Sequence, residues 1–504
     1  MCSIAGINIK SEKIVKKMID IQRHRAPDDE GYICFENLSL GMGRLEIIDL
    51  VSKGLCPYQE DQFVLCYNGE IYNFVELRNQ LKKKWKFYTT SDTEVLLKSW
   101  REWGTKMFSK LNGMFSFCIY DKKKQTLILA RDIAGEKPLY YFNKGKRFAF
   151  ASELKALSNV LDLKLEKKID FFTNFQHCHN ETLWKNTFQI PPAHYLHYNL
   201  KTNKMKLEEY WIFKKKKINL KTVDEEFENL LNKSLKIRLR SDVPVGIYQS
   251  DGLDSNILAK LHRFNHRFYF DDSKDWKEDF FKNIKKIAYH LDTPVGSLSS
   301  YPLYKLAEKA SKKVKVIISG EGADELFGGY VRYLPIALQW DLEKKFKSYK
   351  YLFKKFYSSY LDSFSKITSR TEDYEFIKKM TGKYFEMFDD PINAMCFADF
   401  KLIMPSLLQM GDRMSSSFGI ENRCPYLDRE LIEFAFSLPA EKKIQNLTQK
   451  ILVRNLAKKL HLTKVLKQEK KGLTIKFNQW FKRNDWNRDY YFKLLSTKWK
   501  KVYN

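Results

Sequence analysis

The hydrophobic pattern of the chain changes near residue 210, and this change divides it into two parts that must fold differently. Before it, short apolar or alternating runs such as FVLCYNGEIY and MFSFCIYD recur between turn signals, which is typical of antiparallel strands. After it, apolar strands such as VKVIISG alternate with helical patterns, which is typical of a parallel sheet. The 504 residues exceed what one hydrophobic core usually supports. We therefore expect two domains, at residues 2–205 and 222–504.

The two patterns predict two fold classes. The first part is expected to be an α+β domain in which antiparallel sheets are sandwiched with helices such as the one predicted over residues 92–103. The second is expected to be an α/β domain whose ligands bind at the carboxyl ends of parallel strands. Beyond about residue 335 helix formers and aromatic residues dominate, so we expect a helical C-terminal extension around that sheet.

The start of the chain offers a nucleophile beside its own base. Cys2 follows the initiator Met, and small second residues generally permit removal of that Met. The exposed α-amino group would have a pKa of roughly 7.7 to 8.0, suited to taking the thiol proton near neutral pH. A cysteine at this position alone is weak support, because most such residues are incidental.

Polar residues at predicted strand ends strengthen the case. Arg44 can bind a carboxylate through two hydrogen bonds, and two acids, Glu70 and Asp92, can hold an ammonium group. The Asn68 amide and the Gly69 N–H can form an oxyanion hole for a tetrahedral intermediate. These are the groups that hydrolysis of glutamine requires.

The same region resembles a known family along most of its first 160 residues. The matching segments are CSIAGI, RHRAPDDEG, GRLEIIDL, YNGEIYNFVELR, SDTEVLLKSW, LNGMFSFCIYD, ARDIAGEKPLYY and FASELKAL. They resemble the class II, N-terminal-nucleophile glutaminases, and among them the asparagine synthetase branch. The resemblance implies that Cys2 is the nucleophile, that Asn68 and Gly69 are the oxyanion donors, and that all of the polar residues named above bind glutamine.

Two residues depart from the pattern of that family. Ala26 replaces a glycine in the loop RHRAPD, and Met42 stands where a histidine is common. If Ala26 needed a positive φ, the strain would be of order 1 kcal/mol. Either change could slow closure of the loop over glutamine without affecting the nucleophile.

The second part contains a predicted phosphate loop. The segment SDVPVGIYQSDGLDS indicates a strand, a tight loop and a helix whose first N–H groups can bind an anion. It resembles the S-G-G-L-D-S loop of ATP-pyrophosphatases, which implies that ATP contacts four residues. These are Ser250, Gly252, Asp254 and Ser255. Asp254 is also expected to bind Mg²⁺. Asp251 occupies the first glycine position, where its carboxylate would repel phosphate unless it coordinates metal or turns outward.

A second motif, VKVIISGEGADELFGGY, is a strand followed by a polar loop and an acidic helix start. It resembles the asparagine synthetase signature. The resemblance implies that Ser319 and Gly320 contact the nucleotide, that Asp324 binds Mg²⁺ with pyrophosphate, and that Glu321 assists attack by ammonia. Farther on, EKKGLTIKF resembles a loop whose lysine neutralises phosphate charge. Lys470 would be that catalytic lysine, or else one more surface lysine.

A third matching stretch, GDRMSSSFGIENRCPYLD, contains a set of charged residues with two readings. They are Asp412, Arg413, Glu421, Arg423 and Asp428. They could form a wall of the active site or a buried ion-pair scaffold, and the sequence favours the scaffold without excluding the wall.

The resemblance implies a ligase that uses ATP and Mg²⁺ to convert a carboxylate into an amide with ammonia from glutamine. Aspartate is the expected acceptor. Only 63 residues separate Ser255 from Ser319, a shorter segment than is usual in this family. That difference leaves open another acceptor, such as a sugar uronic acid, or a silent synthetase half kept for binding or regulation.

Charge and cysteine content say less about partners. The net charge of +28 would fit a polyanion, but the lysines lie in short scattered runs without a nucleic-acid motif, so small-molecule substrates are expected instead. The cysteines form no C-x-x-C pair, which indicates reduced thiols and a cytoplasmic protein. We expect no membrane association, because no 18 apolar residues run together. A homodimer is compatible with the sequence.

Overall fold

The computed structural model describes most of the chain. It covers residues 1–52, 54–166, 182–295, 297–346, 358–368, 374–468 and 487–503, with Asn180, Leu473, Ile475 and Trp480. Lys470 lies outside the described residues. No described helix is long and apolar enough to cross a bilayer.

The first part is built from twelve described strands and four helices. The strands are β1 (Ser3–Ile7), β2 (Asp29–Phe35), β3 (Leu38–Arg44), β4 (Tyr58–Glu60), β5 (Phe63–Glu70), β6 (Met114–Asp121), β7 (Thr126–Arg131), β8 (Tyr140–Lys144), β9 (Arg147–Ala151), β10 (Thr187–Gln189), β11 (His194–Asn199) and β12 (Met205–Glu209). The helices are α1 (Glu12–Ile21), α2 (Phe74–Leu81), α3 (Asp92–Trp103) and α4 (Leu154–Ser158). Ser11 and Ser91 cap α1 and α3 by accepting hydrogen bonds from backbone N–H groups of the first turn.

These strands form two antiparallel sheets. Their orders are β10-β8-β9-β1-β3-β2 and β12-β11-β7-β6-β5-β4. Side chains alternate between the faces of a strand, so Phe148 and Phe150 of β9 join the core between the sheets, whereas Ala149 and Ala151 pack with the helices α1 and α4. The predicted α+β class with sandwiched antiparallel sheets is confirmed.

The second part has a small parallel sheet surrounded by helices. The helices are α5 (Val223–Arg238), α6 (Leu253–Leu261), α7 (Lys277–Leu291), α8 (Ser300–Ala310), α9 (Ala323–Phe327), α10 (Leu334–Lys345), α11 (Tyr360–Thr368), α12 (Tyr374–Met387), α13 (Pro391–Leu402), α14 (Met404–Ser416), α15 (Arg429–Ser437), α16 (Ile451–Lys459), α17 (Thr463–Lys467) and α18 (Asn487–Tyr503). The strands are β13 (Val245–Tyr248), β14 (His266–Phe268), β15 (Val316–Ile318), β16 (Glu421–Arg423) and a hairpin, β17 (Ile444–Gln445) and β18 (Thr448–Gln449).

The parallel sheet has the order β14-β13-β15-β16, and every neighbouring pair is parallel. The loops after β13, β15 and β16 therefore leave the sheet at one edge. Helices dominate the described chain after residue 333, as the sequence predicts. The α/β class with a helical extension is confirmed.

The two parts share one apolar core and a buried ion-pair cluster. Apolar side chains of α1, such as Val15 and Met18, belong to the same core as Ile287 and Tyr301 of the second part. The cluster, called here the interface cluster, joins three residues of each part with three positive and three negative charges. Its members are Arg25, Glu153, Lys155, Asp292, Asp412 and Arg413.

The contacts of the interface cluster form a continuous network. Arg25 donates two hydrogen bonds to the Asp412 carboxylate, at 2.7 and 3.1 Å. Arg413 Nη1 lies 3.0 Å from Glu153 Oε1, and its Nη2 lies 2.9 Å from Asp292 Oδ2. All of these side chains are at most 3% exposed. Asp412 and Arg413 of the third motif therefore belong to a buried ion-pair scaffold.

Replacing Arg413 with methionine tests how strongly this cluster holds the two parts together. The change keeps most of the side-chain volume but leaves the Glu153 and Asp292 carboxylates buried without its positive charge. We expect a loss of about 3–5 kcal/mol in the free energy of unfolding, read from the urea midpoint of the first transition.

Arg23→Met is the matched control, because the Arg23 side chain is 60% exposed in its pair with Glu30. It should cost less than about 1 kcal/mol. Equal midpoints for the two variants would contradict a stabilising role of the interface cluster.

Two candidate active sites

The first site, called the cysteine site, lies where β1 begins and where β3 and β5 end. Cys2 precedes β1, and Ser3 lies opposite Gly43 in the pairing of β1 with β3, which places Cys2 beside Arg44. Asn68, Gly69 and Glu70 end β5, and Asp92 begins α3. The structure thus gathers all six residues that the sequence assigned to this site.

Asn68 and Gly69 occupy positions with little freedom. The Cys2 backbone N–H donates to Asn68 Oδ1 at 3.0 Å, and Asn68 is fully buried. A Cβ atom at Gly69 would lie 2.1 Å from the Met114 carbonyl oxygen, so no other residue fits the close pairing of β5 with β6. The strand end and its neighbour therefore fix this pair beside the nucleophile.

Met1 crosses from the cysteine site into the second part. It is buried, and its α-amino nitrogen lies 3.8 Å from Glu421 Oε2 in β16. Burial lowers the pKa of the Met1 α-amino group to about 6 and raises the pKa of the Cys2 thiol. While Met1 is attached, the nitrogen of Cys2 is an amide and cannot act as a base. Removal of Met1 would leave an amine at this nitrogen, next to Asn68 Oδ1.

The remaining residues of the cysteine site are engaged by the protein. The Arg44 guanidinium donates to the backbone oxygens of Ile48 and Asp49, at 3.0 and 2.6 Å, and so orders the loop after β3. Asp92 Oδ2 accepts hydrogen bonds from the Ile71 N–H and the Tyr67 hydroxyl, at 2.9 and 2.8 Å. Burial raises the pKa of the Asp92 carboxyl.

Glu70 reaches across the interface instead. Its Oε2 accepts a hydrogen bond from Arg423 Nη2 at 3.1 Å, and burial raises the pKa of the Glu70 carboxyl. Arg423 Nε also pairs with Glu421 Oε1 at 2.9 Å. A residue expected to bind glutamine is therefore in direct contact with β16 of the second part, which sequence reasoning did not foresee.

The second site, called the phosphate-loop site, begins in the loop between β13 and α6. Ser250 Oγ accepts from the Gly252 N–H at 3.1 Å, and Ser255 Oγ accepts from the Ser250 N–H at 3.1 Å. Asn256 Nδ2 donates to the carbonyl oxygens of Ser250 and Gly252, at 2.8 and 2.7 Å. The hydroxyls of Ser250 and Ser255 therefore hold the loop in a tight turn through its backbone N–H groups. The loop leads directly into α6, as the sequence predicts.

The loop after β15 packs against the start of α6. A Cβ atom at Gly320 would lie 3.2 Å from the Ser255 backbone nitrogen, so this position favours glycine. Ser319 is buried and its N–H donates to the Arg423 carbonyl oxygen at 3.0 Å. The two motifs that were assigned to the nucleotide are therefore adjacent.

Glu321 follows this loop at the edge of the sheet. Burial raises the pKa of the Glu321 carboxyl to about 7. Its Oε2 accepts a hydrogen bond from Asn422 Nδ2 at 3.4 Å, and the Cys424 thiol lies 3.6 Å from the same oxygen. A carboxyl with this pKa can gain or lose a proton near neutral pH.

Asp254 and Asp324 flank a place for one cation. The Lys450 ammonium lies 2.7 and 2.8 Å from the two oxygens of Asp254 and 2.7 Å from Asp324 Oδ1. Carboxylate oxygens are the ligands that Mg²⁺ prefers, and this arrangement brings both of them around a single positive centre. The donor set therefore fits the expected metal. Sequence reasoning missed Lys450, because the lysine belongs to no motif and lies 196 residues from Asp254.

Two departures from the family pattern are less severe than they could have been. Ala26 has φ −141°, in a region that any residue adopts. The backbone strain that a positive φ would have caused at this residue is therefore absent. Asp251 is exposed at the loop between β13 and α6, where water screens its charge. The structure thus favours the solvent-facing alternative for Asp251.

Two family models match the chain. A glutamine amidotransferase domain model matches residues 1–211, and an asparagine synthase model matches residues 226–274 and 274–501. Among similar curated proteins, glutamine-hydrolyzing asparagine synthetase 1 of Bacillus subtilis is 30% identical, over 97% of this chain and 89% of its own.

A Methanocaldococcus jannaschii protein, named provisionally as glutamine-hydrolyzing asparagine synthetase 2, is 34% identical over 66% of this chain and 76% of its own. A solved glutamine phosphoribosylpyrophosphate amidotransferase from B. subtilis is 18% identical with a TM-score of 0.32, over 51% of this chain and 62% of its own.

Proposed function

Because the chain belongs to the asparagine synthase family, we propose that it makes asparagine from aspartate, ATP and the amide nitrogen of glutamine. The observation that carries the proposal is that one chain holds both sites across a buried interface. Glu70 of the cysteine site contacts Arg423 of β16, and the loop after β15 holds Glu321 near the same strand. We expect the protein to act in the cytoplasm.

The cysteine site would hydrolyse glutamine. The free α-amine of processed Cys2 accepts the thiol proton, and the sulfur attacks the amide carbon of the substrate. Asn68 and Gly69 donate hydrogen bonds to the developing oxyanion. The α-ammonium formed in this way gives the proton to the leaving nitrogen, ammonia departs, and water hydrolyses the thioester to glutamate. In this scheme Arg44 binds the α-carboxylate of glutamine, while Glu70 and Asp92 hold its α-ammonium group.

The phosphate-loop site would activate aspartate. The side-chain carboxylate of the substrate aspartate attacks the α-phosphorus of ATP, which gives an acyl-adenylate and releases pyrophosphate. The nucleotide contacts would come from Ser250, Gly252, Ser255, Ser319 and Gly320. When bound at Asp254 and Asp324, Mg²⁺ supplies positive charge that neutralises the phosphates. Lys470 remains a proposed catalytic lysine outside the described residues.

Ammonia would complete the reaction at Glu321. It attacks the acyl carbon of the adenylate, and the Glu321 carboxylate takes a proton from the attacking nitrogen as AMP leaves. The raised pKa of Glu321 suits this role, because a base that operates near neutral pH needs a pKa close to that pH.

We place the route of ammonia along the interface between the two sites. Buried polar atoms without a hydrogen-bond partner among the described residues occur there: Glu70 Oε1, Tyr72 Oη, Glu136 Oε2 and Asn422 Oδ1. Arg423 links the first two, because it contacts Glu70 and lies 5.5 Å from the centre of the Tyr72 ring. Each of these four atoms can hydrogen-bond an ammonia molecule that passes along the interface, which supports this route.

The proposal is tested by product formation with protein from which Met1 has been removed. With ATP, Mg²⁺, aspartate and ammonium, we expect equal amounts of asparagine and pyrophosphate, and glutamine should replace ammonium. Cys2→Ala should abolish only the glutamine-driven reaction, because the second site does not use the thiol. Chromatography of the amino acids and an enzymatic pyrophosphate assay give both readouts.

Other outcomes of the same experiment decide between the alternatives. Pyrophosphate with glutamate or a sugar uronic acid, but not with aspartate, would replace the acceptor while keeping the chemistry. Glutamate formation without any pyrophosphate would refute the proposal in favour of a silent synthetase half.

The pH dependence of the ammonium-driven reaction tests the role of Glu321. A carboxyl whose pKa is raised to about 7 is protonated below that pH and cannot accept a proton, so the rate at a constant concentration of free ammonia should rise as the pH passes through about 7. Glu321→Gln should lose this step and slow the reaction about 100-fold or more.

Glu325→Gln is the matched control, since burial also raises the pKa of Glu325 to about 7. It should keep the step. If the step disappeared in Glu325→Gln and persisted in Glu321→Gln, the base would be Glu325, and the role proposed for Glu321 would be wrong.

A further inference from the structure

Lys450 places one positive charge between the two carboxylates expected to bind Mg²⁺. Its ammonium lies within 2.8 Å of both Asp254 oxygens and 2.7 Å from Asp324 Oδ1. The Lys450 side chain is 7% exposed, against 19% and 23% for the two acids. The ammonium is therefore the inner charge of the group, and the carboxylates close around it.

The backbone around Lys450 is arranged to bring it there. The residue follows the hairpin β17–β18 and precedes α16, with φ 54° and ψ 45°. This left-handed conformation is disfavoured for a residue with a side chain, so the fold must hold it in place. The two ends of the hairpin are held together next to Lys450, because the Ile451 N–H donates to the Lys443 carbonyl oxygen at 3.1 Å.

A glycine makes room for the contact. A Cβ atom at Gly329 would lie 1.9 Å from Asp324 Oδ1 and 2.2 Å from Lys450 Cε. Any side chain at this position would therefore push the ammonium and the carboxylate apart. Burial alone would lower the pKa of Lys450, but the charges of Asp254 and Asp324 outweigh it and raise that pKa.

We propose that Lys450 is a resident cation that holds the place of Mg²⁺ in the nucleotide-free protein, so that a divalent metal binds only together with its nucleotide. The proposal rests on the proposed function only in taking a metal nucleotide as the substrate. Its chemistry is a competition between two cations for the same pair of carboxylates.

The competition follows from charge and space. A divalent ion bound by both carboxylates would occupy the region where the ammonium now lies, at ligand distances of about 2.1 Å. Without a nucleotide, the displaced ammonium would remain buried next to a dication. A triphosphate brings several negative charges, which can accept the Lys450 ammonium and the metal together. Metal binding is thereby coupled to nucleotide binding.

The test is a titration of the nucleotide-free protein with Mn²⁺, followed by the electron paramagnetic resonance signal of the free ion. Wild-type protein should leave Mn²⁺ free, whereas Lys450→Met should bind one Mn²⁺ at least about tenfold more tightly, because a unit positive charge is gone from the carboxylates. The double variant with Asp324→Asn should lose this gain. With α,β-methylene-ATP present, the wild-type protein should lower the signal of free Mn²⁺ further than the same concentration of nucleotide lowers it without protein.

Lys442→Met is the matched control. Lys442 precedes the same hairpin, its side chain is 28% exposed, and its ammonium lies 3.9 Å from an Asp224 oxygen. It should behave like the wild-type protein. Nucleotide-free wild-type protein that binds Mn²⁺ as tightly as Lys450→Met would overturn the proposal, as would a folded Lys450→Met that gains no affinity.

A second measurement covers the case in which Lys450→Met does not fold. Wild-type protein alone is then compared with and without α,β-methylene-ATP, and tight binding of Mn²⁺ without the nucleotide would overturn the proposal. None of these readouts requires the asparagine reaction. Absence of asparagine synthesis would therefore refute the proposed function and leave the role of Lys450 to be decided by Mn²⁺ binding.

Discussion

The interface cluster is the constraint on which the rest of the structure depends. Six charged side chains are buried between the two parts in contact with one another, and removal of any one would leave a charge in a medium that does not solvate it. Because Arg25 and Glu153 meet Asp412 and Arg413 in this way, the two sheets cannot shift freely against the second part. The relative position of the two sites is therefore fixed by electrostatics as well as by the shared apolar core.

At that fixed interface, residues of both sites contact the same short strand, β16. Met1 lies near Glu421, and Glu70 contacts Arg423. The side chains of the first and last residues of β16 therefore both face the cysteine site. On the other side, the N–H of Ser319 is bound to the carbonyl oxygen of Arg423. A three-residue strand thus contacts both sites. Removal of Met1 would change this interface, because it would take away a buried residue and its contact with Glu421.

The fold classes and the residues that belong to short sequence motifs could be predicted from the sequence. The two fold classes followed from the change in hydrophobic pattern, and the strand-end positions of Cys2, Asn68 and Ser250 followed from the motifs themselves. Contacts between distant segments could not be read in this way. Arg25 and Asp412 are 387 residues apart, and Lys450 is one lysine among many until the fold places it between Asp254 and Asp324. The charged third motif was ambiguous for the same reason, since only its partners distinguish a scaffold from a wall.

Transfer of nitrogen between the sites is the most direct test of the account. Glutamine labelled with ¹⁵N in its side-chain amide would be supplied to the Met1-processed protein with ATP, Mg²⁺, aspartate and an excess of unlabelled ammonium. Mass spectrometry of the asparagine formed then reports the source of its amide nitrogen. If the buried interface carries ammonia from Cys2 to Glu321, the product will be enriched in ¹⁵N well above the ammonium in solution. Enrichment equal to that of the dissolved ammonium would show that the two sites are not connected.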